Sequence, residues 1–182
     1  MTVVSVFHQR YKTTPQKAEK LEELNDWYTS AFPQLFEDNQ VTVEDLKKIT
    51  EWKMLYRPGL LKQLDRNSEE DVREVMMKLK KLLKEDEEDW EFVENVLNEV
   101  SRLKGVGPAT ASAIVSAVSG NFAFMSDEIA EQLLQKKNIK YTMDEYRQIW
   151  SKLKENKGER TIKECAEDLW REELRKKYEI GK

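Results

Sequence analysis

Gly105, Gly107 and Pro108 stand together in the stretch LKGVGPATASAIVSAVSG, Leu103 to Gly120. Glycine permits backbone angles and close approaches that a Cβ forbids, and proline suits the first helical position, where no N–H is needed. The pattern predicts a helix running into Leu103, a sharp turn, and a second helix opening at Pro108. The amides of Gly105 and Gly107 then point outward at a helix N-terminus, a ready site for an anion such as phosphate. Ala109, Ala111 and Ala113 are small enough to let a neighbouring helix pack close. Ser119-Gly120 closes that helix, NFAFM crosses back, and SDEIAEQLL opens another helix at Asp127. A carboxylate fixed there can stabilise developing positive charge or orient a water. An acid at such a position is also an ordinary helix start.

The run of a hydrophobic residue, one more residue, Gly-Val-Gly and then Pro-Ala-Thr-Ala resembles the helix-hairpin-helix motif, which grips one DNA strand by its phosphates. Asp127 lies 18 residues past Ala109. That spacing and the FMSDE segment resemble the helix-hairpin-helix base-excision DNA glycosylases, relatives of endonuclease III and the adenine glycosylase. The resemblance covers Glu99 to Leu134. It implies an all-α fold built around the hairpin, and phosphate contacts from Lys104, Gly105, Val106, Gly107, Ala109 and Thr110. It also implies a monovalent cation, Na+ or K+, on the carbonyls of Ser101, Leu103 and Val106, with Asp127 as the catalytic acid at the sugar. Glycosidic cleavage builds positive charge on the deoxyribose, so a gripped phosphate and a fixed carboxylate work as a pair. Bifunctional members carry a lysine where this chain has Ala109, so a monofunctional enzyme without lyase activity is expected. Cys165 stands alone, so no iron–sulfur cluster is expected.

EWKMLYRPG is the other stretch of interest. Trp52, Lys53, Tyr56 and Arg57 bring aromatics and cations together beside a break, as a base pocket needs. The plainer reading makes Trp52 core and the cations solvated. His8 has no evident partner and reads as surface, and Cys165 beside Ala166 reads as a buried small residue.

These residues must be positioned by helices. TTPQKAEKLEELNDWYTSAF reads as one helix with Pro15 in its first turn and Leu21, Leu24 and Trp27/Tyr28 on one face. TVEDLKKITEWKML is capped by Thr42 and carries Leu46, Ile49 and Lys53 on one stripe, and RPG at Arg57 to Gly59 is a break. The helix from Ser68 buries Val72, Val75, Met76, Leu79 and Leu83. The acidic run Glu85 to Asp89 is a solvated helix start, followed by Trp90, Val93, Val96, Leu97 and Val100. Thr142/Glu145 and Thr161/Glu164 are capping boxes. No segment shows strand alternation, and the expectation is about nine helices. Met1 to Thr13 reads as an extended lead before a single all-α domain over residues 14–182.

The chain has 182 residues, with 39% hydrophobic and 36% charged side chains and 9% aromatics. That composition supports a core and argues against disorder. No apolar run approaches the roughly 20 residues of a membrane span, and no signal peptide is expected. With one cysteine, a reducing compartment, nuclear or cytoplasmic, is the default. The net charge is −4, so a nucleic-acid footprint must be local. Between Ser101 and Tyr141 five basic residues, Arg102, Lys104, Lys136, Lys137 and Lys140, face three acidic ones, Asp127, Glu128 and Glu131. Three readings follow: a monofunctional glycosylase-like enzyme on DNA, a non-catalytic hairpin module binding nucleic acid or a protein, and an interaction protein in which GVGPA is only a tight turn.

Overall fold

The computed structural model describes residues 15–54 and 58–178. The N-terminal lead with His8, and Tyr56 and Arg57 of the expected base pocket, lie outside the described residues. Among the described residues the fold is all-α. The elements are α1 (Pro15–Asp26), a π-turn (Trp27–Ala31), α2 (Phe32–Glu37), α3 (Val43–Met54), α4 (Pro58–Leu64), α5 (Glu69–Leu82), α6 (Trp90–Val100), α7 (Pro108–Val118), α8 (Asp127–Leu134), α9 (Met143–Asn156) and α10 (Ile162–Tyr178).

Most starts follow from side-chain caps. Ser68 and Asp71 satisfy each other's backbone N–H at α5, and Thr142 and Glu145 do the same at α9. Thr42 with Asp45 and Thr161 with Glu164 make the equivalent bonds at α3 and α10. Asp89 accepts from Phe92 N–H at α6, and Ser126 accepts from Ile129 N–H at α8. Each such cap is worth about 1 kcal/mol.

Helix α7 sits at the centre. Every residue from Ala109 to Ala117 is buried, and only the first turn borders open space. Its alanines and serines allow close approach, and α2, α3 and α6 all pack on it. Helix α5 backs α6, while α8, α9 and α10 pack on one another, α9 also touching α6. Two helix groups thus flank the α6–α7 hairpin.

Three tyrosine and tryptophan side chains lock irregular backbone onto these helices. The Tyr28 hydroxyl donates to Ala113 O at 2.5 Å and shares a hydrogen bond with Ser116 Oγ at 3.0 Å, tying the π-turn to α7. Tyr146 donates to Ala123 O at 3.0 Å and accepts from Ala123 N–H at 3.3 Å. Trp150 Nε1–H donates to Asn121 O, and Met125 N–H donates to Ser112 Oγ, both at 3.0 Å. The crossing segment NFAFM is therefore fixed from α7 on one side and α9 on the other, which fixes the start of α8.

The structure corrects the sequence expectations in four places. The first helix is interrupted by the π-turn and resumes as α2. The RPG break gives way to helix at Pro58, and Gly59 stands in the first turn of α4. Leu83 caps the end of α5 and is only half-buried. The acidic run is not merely solvated: Glu88 pairs with Lys157 at 3.3 Å and Asp86 accepts from Asn121 Nδ2 at 2.9 Å.

Candidate functional site

A cleft of about 710 Å³ opens between the two helix groups. Asp127 and Glu128 of α8 line it, as do Gly107, Pro108, Ala109 and Thr110 at the start of α7. Trp52 and Lys53 of α3 form part of the facing wall. Residues from both candidate stretches thus meet in one space.

The aromatic wall is built in layers. Trp52 stacks on Tyr28 with ring centroids 3.8 Å apart and planes 11° apart. Phe124, from the crossing segment, tilts against Trp52 at 5.3 Å. Trp52 Nε1–H donates to Asn25 Oδ1 at 3.2 Å, which fixes the rotation of the indole. Trp52 is half-buried: it packs on the core and faces the cleft at once. Burial pushes the Tyr28 hydroxyl far above the ordinary tyrosine range, partly offset by Ser116.

The phosphate-type end is narrower than the sequence suggests. Gly107 is extended, and it gives α7 no side-chain cap. The first-turn amides of Ala109 and Thr110 have no partner within the helix, as at any helix start. Lys104 and Val106 are committed elsewhere. Asn67 Oδ1 accepts from Lys104 N–H at 2.8 Å, Asn67 Nδ2 donates to Lys104 O at 2.9 Å, and Lys104 Nζ donates to Arg66 O at 3.0 Å. Val106 N–H donates to Leu103 O at 3.1 Å. Gly105 backs onto α4: at φ +81° a Cβ there would lie 2.9 Å from Gln63 Cβ. None of Lys104, Gly105 and Val106 lines the cleft, so the expected outward cradle reduces to Gly107, Ala109 and Thr110.

The expected cation site was Ser101, Leu103 and Val106. Leu103 O already accepts one N–H, and Ser101 Oγ is buried without a hydrogen-bond partner. A carbonyl has two lone pairs, so Leu103 can still ligate, and the oxygen donors fit a hard monovalent ion in type. Among the described residues no group of three or more His, Cys, Asp or Glu is placed to hold a metal.

Charge is also redistributed. Arg102 pairs with Glu99 at 2.6 Å and Glu74 at 3.3 Å, and Lys136 pairs with Glu145 at 2.5 Å. Burial works to raise the Glu99 carboxyl, but Lys78 and Arg102 hold it below the usual range. In exchange the cleft gains Lys53, Lys163 and Arg171, the last bonded to Glu167 and Asp168 at 3.4 Å each.

Asp127 occupies the first position of α8, one residue after the cap Ser126. Its Oδ1 accepts from the Tyr141 hydroxyl at 2.6 Å. Sequence reasoning missed Tyr141, Asn25, Phe124 and the α10 wall of Lys163, Glu167, Trp170 and Arg171. Tyr28 was visible only as an apolar-face residue. The others come from distant segments and carry no local signal. Lone Cys165 is buried, and burial raises its thiol. No helix among the described residues is long and apolar enough to cross a membrane. No protein-family model, no curated protein and no solved structure matches the chain.

Proposed function

We infer that the chain is a DNA glycosylase-like protein that hydrolyses the N-glycosidic bond of a flipped damaged or mispaired base. One observation carries this reading: Asp127, the uncapped first turn of α7, and the Trp52 wall with Lys53 line a single cleft. Its volume of about 710 Å³ lies in the usual range of small-ligand pockets. A flipped nucleotide would seat its phosphate on the amides of Gly107, Ala109 and Thr110, its base against Trp52, and its sugar beside Asp127. The carboxylate stabilises the cationic sugar as the bond breaks, and water completes hydrolysis. Ala109 stands where the bifunctional members carry the attacking lysine, so the expected product is an intact strand with an abasic site. DNA is the partner, held through sequence-independent phosphate contacts, in whichever compartment holds it. A monovalent ion held on the carbonyls of Ser101, Leu103 and Val106 would add positive charge to the hairpin turn, outside the cleft itself.

A second reading, a non-catalytic hairpin clamp for nucleic acid or a protein, is favoured by the commitment of Arg102, Lys104 and Lys136 to internal partners. One binding series separates the two. A duplex with a cationic pyrrolidine abasic analogue is compared with a neutral abasic duplex and an undamaged one, in the wild type and in Asp127→Asn. The enzyme reading expects the cationic duplex to bind on the order of a hundredfold tighter, with the preference lost in Asp127→Asn. Equal binding to all three, indifferent to Asp127, supports the clamp. No binding at low salt sinks both nucleic-acid readings.

A further inference from the structure

Among the described residues, Tyr141 is the one bulky aromatic held at positive φ. Asn39, Asp86 and Asn138 are types that tolerate the left-handed region, and Gln135 ends α8 there, but Tyr141 sits at +57° in a loop. Its backbone is gripped from both sides. Lys140 N–H donates to Glu145 Oε2 at 2.8 Å, and Thr142 N–H donates to the same oxygen at 3.2 Å. The other oxygen, Oε1, accepts from Lys136 Nζ at 2.5 Å. Glu145 is only 5% exposed, so this clamp is shielded from water. Tyr141 itself is 38% exposed, so core packing does not demand its conformation. A strained backbone persists only where its surroundings over-determine it, and such strain gathers at functional sites. Here the product of the strain is a phenol aimed at Asp127 Oδ1, 2.6 Å away.

We propose that Tyr141 and Glu145 are positioning residues for Asp127, Glu145 acting through the Tyr141 backbone and Tyr141 through its hydroxyl. The inference rests on the glycosylase reading for its purpose. The phenol engages Oδ1 and leaves Oδ2 to face the sugar. With Ser126 fixing the backbone below and Tyr141 fixing the side chain above, the carboxylate has one orientation. The capping box of α9 thus does a second job, since its acid also holds the loop that holds the acid of α8. Burial works to raise the Glu145 carboxyl, but Lys136 and the Thr142 and Lys140 amides keep it below the usual range, so it stays an acceptor at neutral pH.

The test uses two readouts on the full chain. The first is the Asp127 side-chain carboxyl ¹³C resonance, assigned by its loss in Asp127→Asn. Tyr141→Phe and Glu145→Ala should each displace it in the same direction, and the double variant should move it no further than Tyr141→Phe alone. Glu145→Gln keeps an oxygen for both N–H groups and should restore the wild-type position. If Glu145→Ala melts below the assay temperature, Glu145→Asp takes its place, with a smaller displacement expected. The second is the ratio of affinities for cationic and neutral abasic duplexes, which should fall about tenfold in Tyr141→Phe, the scale of one hydrogen bond to a charged group. A resonance that ignores Glu145→Ala, or a cation preference unchanged in Tyr141→Phe, overturns the inference while leaving the glycosylase reading intact. A resonance that responds in a protein with no cation preference sinks that reading and keeps the link from Glu145 to Asp127.

Discussion

Lys53 Nζ donates to Thr110 Oγ1 at 2.8 Å, joining α3 to the first turn of α7 across 57 positions of sequence. The ammonium therefore stands beside the amides that would take a phosphate. Lys53→Met removes the charge and keeps most of the stem. Duplex affinity should fall whatever the base, and the slope of log affinity against log salt should shrink by about 1. A salt titration by fluorescence anisotropy checks this, and an unchanged slope removes Lys53 from the interface.

The Trp52 ring is both wall and support. Fully buried tryptophans cost roughly 3–5 kcal/mol on truncation to alanine, and half-buried Trp52 should cost about 2–3. Trp52→Phe keeps a stacking face for Tyr28 and loses the bond to Asn25, worth about 1 kcal/mol, with part of the packing on Phe124, and should cost less than Trp52→Ala. Urea unfolding of the two variants should show that order. Only Trp52→Ala should also abolish preference for a duplex with an extruded base.

Gly105 and Gly107 divide the hairpin between folding and binding. Gly105→Ala forces a Cβ against Gln63 at φ +81° and should cost about 2 kcal/mol. Gly107 is extended, with nothing within 4 Å of a built Cβ, so Gly107→Ala should cost less than about 1 kcal/mol. Thermal melts separate them. If both melt alike, the close approach at α4 is not what selects Gly105.

Stability should decline on both sides of neutrality. Tyr28 and Tyr146 are buried, and burial raises both hydroxyls above their ordinary value. Their contribution is whole below about pH 10; above it the unfolded chain releases protons that the folded chain keeps, and stability falls by about 1.4 kcal/mol per pH unit for each. Glu99 and Glu145 are held below their ordinary value, so their contribution is present above about pH 4.3 and is lost as pH falls further. Denaturant midpoints from pH 3 to pH 11.5 trace both shoulders. Tyr146→Phe should about halve the alkaline slope, leaving the share of Tyr28, and should not alter the acidic shoulder.

What the sequence disclosed was local. The caps at Ser68, Thr142 and Thr161 were legible because a capping box spans four residues, and the turn at Gly105–Pro108 because its residue types leave the backbone few options. The start of α8 at Asp127 was legible for the same reason. The interruption at Trp27–Ala31 was not, since its residues suit an ordinary helix and the contact that anchors it, Tyr28 to Ala113, lies 85 positions away. The commitment of Lys104 was hidden in Asn67, and that of Tyr141 in Glu145, because nothing in a tyrosine announces a left-handed backbone. The α10 side of the cleft lay furthest from view. Lys163 and Arg171 look like any cations on a charged helix until the chain closes on itself.

The cleft draws one wall from Asn25 to Lys53 and another from Lys163 to Arg171, with the hairpin and Asp127 between them in sequence. A fragment spanning Trp90 to Leu134 would carry every residue of the recognisable motif and neither of the two outer walls. Shortening the chain from either end would strip a side of the chamber and spare the signature. The motif is thus portable, but the chamber is not. Whatever this protein does in the cleft, it can be lost by changes far from the residues that invite the comparison.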